Sequence, residues 1–298
     1  MRIERRRAAL SGGELSYLDG GEGPAVVLLH GFPSSAYLWR RELPLLASRM
    51  RVVAPDLLGY GESEKPPEAD LTVRAQAGYV RELLDDLGIG AAAFVGHDLG
   101  GGVAQLLALE GRAAALVLLD TVCFDAWPIE GVKMLQATSP EQETADFAER
   151  VVRLTFDLGL EHEGRLSEDD LRTYVAPWAA DPAALFRAAR AIDGVGLAGR
   201  DADVAGLDLP ALVLWGEEDP FLPPALAERL GDLLSGATVA LLPGCGHFVN
   251  EDAPTTVGPL VYEYLRSVYL HETHGHAGEG PVPVYLERPP AGFPEDEP

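Results

Sequence analysis

Short apolar runs alternate with helically spaced patterns along most of the chain. Val26-Val27-Leu28-Leu29, Arg51-Val52-Val53-Ala54-Pro55, Leu116-Val117-Leu118-Leu119, Ala211-Leu212-Val213-Leu214-Trp215 and Val239-Ala240-Leu241-Leu242 read as buried strands. Another, through Phe94-Val95, runs into Gly96-His97-Asp98-Leu99-Gly100. Residues 73–87 and 99–109 carry apolar positions at helical spacing between these strands. Strands that alternate with helices predict a mostly parallel sheet flanked by helices. Residues 5–10 and 14–17 read as an antiparallel hairpin closing one edge, which makes eight strands.

The rhythm breaks between about Trp127 and Gly206, where the pattern becomes helical and charged. Residues 141–156, 167–174 and 182–192 read as helices, and Ser167 through Asp170 fits a capping box with Asp in the usual Glu position. A helical block inserted after the sixth strand would cover the carboxyl ends of the strands, where open α/β sheets bind ligands. The expected organisation is a core at 1–125, a helical cap at 126–206, the rest of the core at 207–270 and an irregular tail at 271–298. The tail holds His271, His274 and His276 without regular ligand spacing, and no metal is expected.

Charge narrows the partners. The net charge of −24 repels phosphate backbones and anionic lipids, so neither nucleic acid nor a membrane is expected. A small apolar substrate and water are the expected partners, with a homodimer an open option. Cys123 and Cys245 are the two cysteines, read as small buried thiols rather than a disulfide framework. No signal-like or membrane-spanning apolar run is found, and the expected compartment is the cytoplasm.

Four motifs fall at strand ends. His30-Gly31-Phe32-Pro33 follows the first parallel strand. Gly96-His97-Asp98-Leu99-Gly100 is a strand, tight turn and helix start with an aspartate at its centre. Trp215-Gly216-Glu217-Glu218-Asp219-Pro220 brings an acid, and Gly244-Cys245-Gly246-His247-Phe248 brings a histidine on a glycine-rich loop. The order nucleophile, acid, histidine is that of the G-x-S-x-G elbow enzymes, with Asp98 in place of serine. A carboxylate is already ionised at pH 7 and suits attack on saturated carbon that bears a leaving group. Asp219 is the expected partner of His247, with Asp120 as the competing acid. The N–H groups of Phe32 and Leu99 are placed to form an oxyanion hole.

Over about residues 5–270 these motifs, together with Asp56-Leu57-Leu58-Gly59-Tyr60-Gly61-Glu62-Ser63, resemble the α/β-hydrolase fold superfamily. The resemblance is to its aspartate-nucleophile branch of epoxide hydrolases and dehalogenases. It implies a two-step reaction. Asp98 attacks carbon to form an alkyl-enzyme ester. His247, polarised by Asp219, then activates the water that cleaves it, and no cofactor is implied. Haloalkane dehalogenases of this branch carry an indole directly after the nucleophile, where this chain has Leu99. Arginines that grip a haloacid carboxylate are replaced by Leu99 and Gly102. An epoxide hydrolase, with Tyr174 as proton donor, is therefore the leading expectation and a haloalkane or haloacid dehalogenase the second. A non-catalytic binder or an esterase-like enzyme is the third. Trp127 and Trp178 from the cap, and His30, are expected beside the substrate.

Overall fold

The structure, a computed structural model, describes residues 2–162 and 164–270. The irregular tail at 271–298, with the three histidines considered above, lies outside the described residues. Eight strands form one sheet in the order β1-β2-β4-β3-β5-β6-β7-β8. They are β1 (Ile3–Leu10), β2 (Gly13–Gly20), β3 (Ala25–Leu29), β4 (Arg51–Pro55), β5 (Ala92–His97), β6 (Ala113–Leu119), β7 (Ala211–Gly216) and β8 (Thr238–Leu242). The hairpin β1–β2 runs antiparallel and joins β4 antiparallel, and every other pairing is parallel. The central strands read as continuous apolar runs because helices cover both faces: all six residues of β5 and of β7 are buried.

Eleven α-helices are described. Before β7 come α1 (Glu42–Leu46), α2 (Val73–Asp86), α3 (Leu99–Leu109), α4 (Glu130–Gln136), α5 (Ala145–Gly159), α6 (Glu168–Ala180), α7 (Pro182–Arg190) and α8 (Asp201–Ala205). After it come α9 (Ala225–Leu233), α10 (Val249–Asp252) and α11 (Pro254–Val268). Helices α4 to α8 all fall between β6 and β7. The capping box of α6 forms as its sequence suggests, Ser167 Oγ accepting the Asp170 N–H at 3.1 Å. Helix α4 was not anticipated by the apolar pattern, since none of its residues is fully buried. The charged run at 141–156 resolves into a short 3-10 turn and α5, whose start is set by Thr144 accepting the Phe147 N–H at 3.2 Å.

Parallel register brings the strand ends level. Leu29 of β3 lies opposite Gly96 of β5, and Gly96 opposite Leu118 of β6. Helix α3 leaves the end of β5 so steeply that its backbone presses on the end of β3. A Cβ at Gly100 would collide with the carbonyl oxygens of Leu29 and His30, so glycine is required there by close approach rather than by dihedral freedom. Gly100→Ala is expected to destabilise the fold by about 1–3 kcal/mol, the usual range for overpacking. Thermal unfolding of the variant against the parent measures it.

Candidate active site

Asp98 joins β5 to α3 with φ 49° and ψ −119°, a backbone conformation that non-glycine residues adopt only under local constraint. Its side chain makes no capping bond to the helix and is 8% exposed. It lies instead among main-chain donors. Asp98 Oδ2 accepts the Phe32 N–H at 2.8 Å, and the Leu99 N–H lies near enough to favour the charged carboxylate. Gly31 permits this, since a Cβ there would occupy the place of the Asp98 carboxyl. Burial raises the Asp98 pKa to about 6, and His247 and the two N–H groups limit the rise.

His247 lies on the loop after β8, with Nδ1 2.9 Å from Asp219 Oδ2. Asp219 is held in turn by the N–H groups of Phe221 at 2.8 Å and Leu222 at 3.0 Å, both on Oδ1. The Asp219 contact calls for a proton on Nδ1 and leaves Nε2 available to take one from water. Burial alone would lower the imidazole pKa, but the Asp219 carboxylate and its hydrogen bond, with Asp98, raise it overall. His97 supports the loop from beneath, its Nε2–H donating to the His247 carbonyl at 2.8 Å. Asp252 ties the same loop to the end of α5, its Oδ2 accepting the N–H groups of Gly246 at 2.8 Å and Glu161 at 3.1 Å. Asp120 is not placed to orient the histidine. Its Oδ1 accepts the Gly216 N–H at 2.8 Å, its Oδ2 has no partner, and burial followed by the nearby Asp219 charge pushes its carboxyl well up.

Asp98, His247, Phe32 and Leu99 lie at the floor of a cavity of about 350 Å³ between the carboxyl ends of the strands and the inserted helices. Its walls are almost wholly apolar, and Trp127 is among them, with an indole N–H that is buried and has no partner. Three expected substrate contacts do not line it. Tyr174 donates its hydroxyl to Glu251 Oε1 at 2.6 Å and accepts from Arg40, so burial inside an ion cluster takes it out of the pocket. Trp178 donates its indole N–H to the Pro33 carbonyl at 2.7 Å, which holds the Phe32 loop from outside. His30 accepts the Leu57 N–H on Nε2 at 3.0 Å and is wholly buried beneath the site.

The cluster around Tyr174 was not legible in the sequence. Glu251, four residues beyond His247, has a fully buried side chain gripped by Arg40 at 2.6 and 2.9 Å and by Arg41 at 2.6 Å. These partners lie about 210 positions away in the chain, which no local spacing reveals. Tyr174→Phe is expected to cost about 1.5–3 kcal/mol of stability, as for a hydrogen bond to a charged group, with turnover unchanged. Glu251→Ala, which removes the buried carboxylate from Arg41 and leaves Arg40 only its 3.3 Å pair with Asp170, is expected to cost about 3–5 kcal/mol. Thermal unfolding and steady-state rates of both variants check this.

A family model described as the alpha/beta hydrolase fold matches residues 24–254. Haloalkane dehalogenase 2 of Mycobacterium tuberculosis is 29% identical over 277 residues, 88% of this chain and 94% of that protein. The soluble epoxide hydrolase of a Corynebacterium species is 30% identical over 278 residues, 86% of this chain and 94% of that protein. The crystal structure of an alpha/beta hydrolase fold protein from Burkholderia ambifaria superposes with a TM-score of 0.79 at 30% identity, over 87% of this chain and 97% of that one. With the elbow, the acid and the histidine assembled at the strand ends, these matches establish that the chain belongs to the alpha/beta hydrolase fold family.

Proposed function

We propose that this hydrolase cleaves a carbon–halogen bond in an apolar haloalkane, through an alkyl ester on Asp98. The observation that carries the choice of leaving group is the character of the cavity wall. An epoxide oxygen leaves as an alkoxide and needs a proton donor, and no tyrosine lines the cavity among the described residues. A halide leaves without a proton and needs only a hydrogen-bond donor. Trp127 lines the cavity and has a buried indole N–H without a partner, and that donor is assigned to it. No arginine or lysine lines the cavity among the described residues, which argues against a haloacid. The kinship with a haloalkane dehalogenase and an epoxide hydrolase supports attack on saturated carbon and keeps epoxides as the competing substrates.

The reaction follows from the geometry. Asp98 Oδ2 rests on the Phe32 N–H, so Oδ1 is the attacking atom. As the Oδ1–carbon bond forms, the carbon–halogen bond breaks and the halide departs with its electron pair. His247 Nε2 then takes a proton from water, and the hydroxide adds to Cγ of the ester. The negative charge appears on Oδ2, which already accepts the Phe32 N–H, so little reorganisation is needed there. Collapse expels the alkoxide, which takes the proton from His247 and departs as the alcohol, and the Asp98 carboxyl then loses water's second proton to solvent, restoring the carboxylate. Asp219 stabilises the imidazolium between these steps. Within this reading the inserted helices act as a cap that closes the site to bulk water.

Three outcomes test the reading. Bromoalkanes are expected to release bromide and form alcohols, with epoxides of matched size turned over more slowly. Diol formation from epoxides without halide release from any haloalkane would contradict it. Trp127→Phe is expected to lower kcat/KM for bromoalkanes about 10- to 100-fold, the usual worth of a hydrogen bond to a charged group. The rate is also expected to fall on the acid side, beginning above pH 6.5 as His247 takes up a proton and can no longer accept one, and more steeply below about 6, where Asp98 is protonated as well. Both groups place the loss on the acid side, and a pH–rate profile measures it.

A further inference from the structure

We propose that the cavity is open-ended and takes a long, unbranched hydrocarbon chain, reactive at one terminus, whose far end lies on the outer faces of α4 and α5. This rests on the reading of the site given above and adds the shape of the substrate. Met134, Leu154, Leu158 and Val195 are the large hydrophobic side chains left exposed among the described residues, at 74%, 55%, 56% and 57%. The first three line the same cavity as Asp98. Asp98 is 8% and His247 3% exposed, so the cavity runs from a closed reactive end to an apolar rim at the surface.

The helix geometry gives the cavity length. On α5, Phe147, Val151, Leu154 and Leu158 recur at helical spacing along one wall. From Phe147 to Leu158 that wall extends about 16 Å, at 1.5 Å per residue. Thr155, on the same wall, already donates its hydroxyl to the Val151 carbonyl at 2.8 Å, so it presents no free donor. Helix α4, which also lines the cavity, has no fully buried residue and keeps Met134 exposed. A chain of net charge −24 that leaves three large apolar side chains around one opening has a ligand-binding groove there rather than scattered surface. With no cation on the wall among the described residues, the chain that enters is a hydrocarbon rather than one ending in an acid.

The test is a homologous series of terminal bromoalkanes, from short to long, on the full-length protein. The parent is expected to gain about two- to fourfold in kcat/KM per methylene once the tail reaches the rim, as apolar burial dictates. Leu154→Asn and Leu158→Asn are expected to lower the ratio of long-chain to short-chain kcat/KM by about tenfold, several methylenes' worth of rim contact. A parent that peaks on short bromides, or variants that leave the ratio unmoved, would overturn the proposal. Binding of n-alkanols to Asp98→Asn, followed by tryptophan fluorescence, separates shape from chemistry. Affinity that climbs with chain length upholds the long groove even if no bromide is released, an outcome that sinks the leaving-group reading alone. Affinity independent of length overturns the groove itself.

Discussion

The structure depends on keeping a carboxylate charged where water is scarce. Asp98 lies at a buried floor and would take up a proton there, were it not held by the N–H groups of Phe32 and Leu99 and faced by His247. Those donors come from two elements distant in sequence, the loop after β3 and the first turn of α3. They meet because parallel register sets the ends of β3 and β5 side by side. In the proposed reaction the Phe32 N–H serves both steps, first orienting the nucleophile and then meeting the charge on the same oxygen. This is electrostatic preorganisation, in which the dipoles are already aimed before the charge moves.

The surroundings of the floor answer to that need. Gly31 leaves room for the carboxylate, and Gly100 lets the start of α3 press against the end of β3. His247 is fixed on three sides: Asp219 on its ring, His97 on its carbonyl, and Asp252 on the loop before it. Asp252 also binds the end of α5, the helix that walls the cavity, so the histidine and the substrate wall share one anchor. Glu251, next in the chain, joins the α6 helix to the loop that follows Phe32 through Tyr174, Arg40 and Arg41. The reactive floor and the inserted helices are thus tied by buried polar contacts rather than by apolar packing alone.

Strands and elbow were readable because burial on both faces leaves continuous apolar runs, and because a turn this tight demands glycines around the central residue. The histidine and Asp219 were readable because strand order puts loop residues at one edge. Tyr174, Trp178 and His30 show where such reading ends. Each has the right chemistry and lies near the site, but sequence gives a side chain's type and not its direction. Each points into a structural hydrogen bond, to Glu251, to Pro33 and to the Leu57 N–H respectively. Trp127 differs only in lining the cavity with its N–H unpartnered, a fact of three-dimensional placement. Helix α4 escaped for the opposite reason, since a helix that buries no residue fully writes no clear apolar stripe.

The central claim is that Asp98 becomes alkylated. Replacing His247 with Gln removes the base for the second step and leaves the first intact. Intact-protein and peptide mass spectrometry of His247→Gln after exposure to a bromoalkane tests it most directly. The account predicts a stable mass increase of one alkyl group, located on Asp98, with one bromide released per protein. An unmodified protein, or an adduct on any other residue, would contradict it.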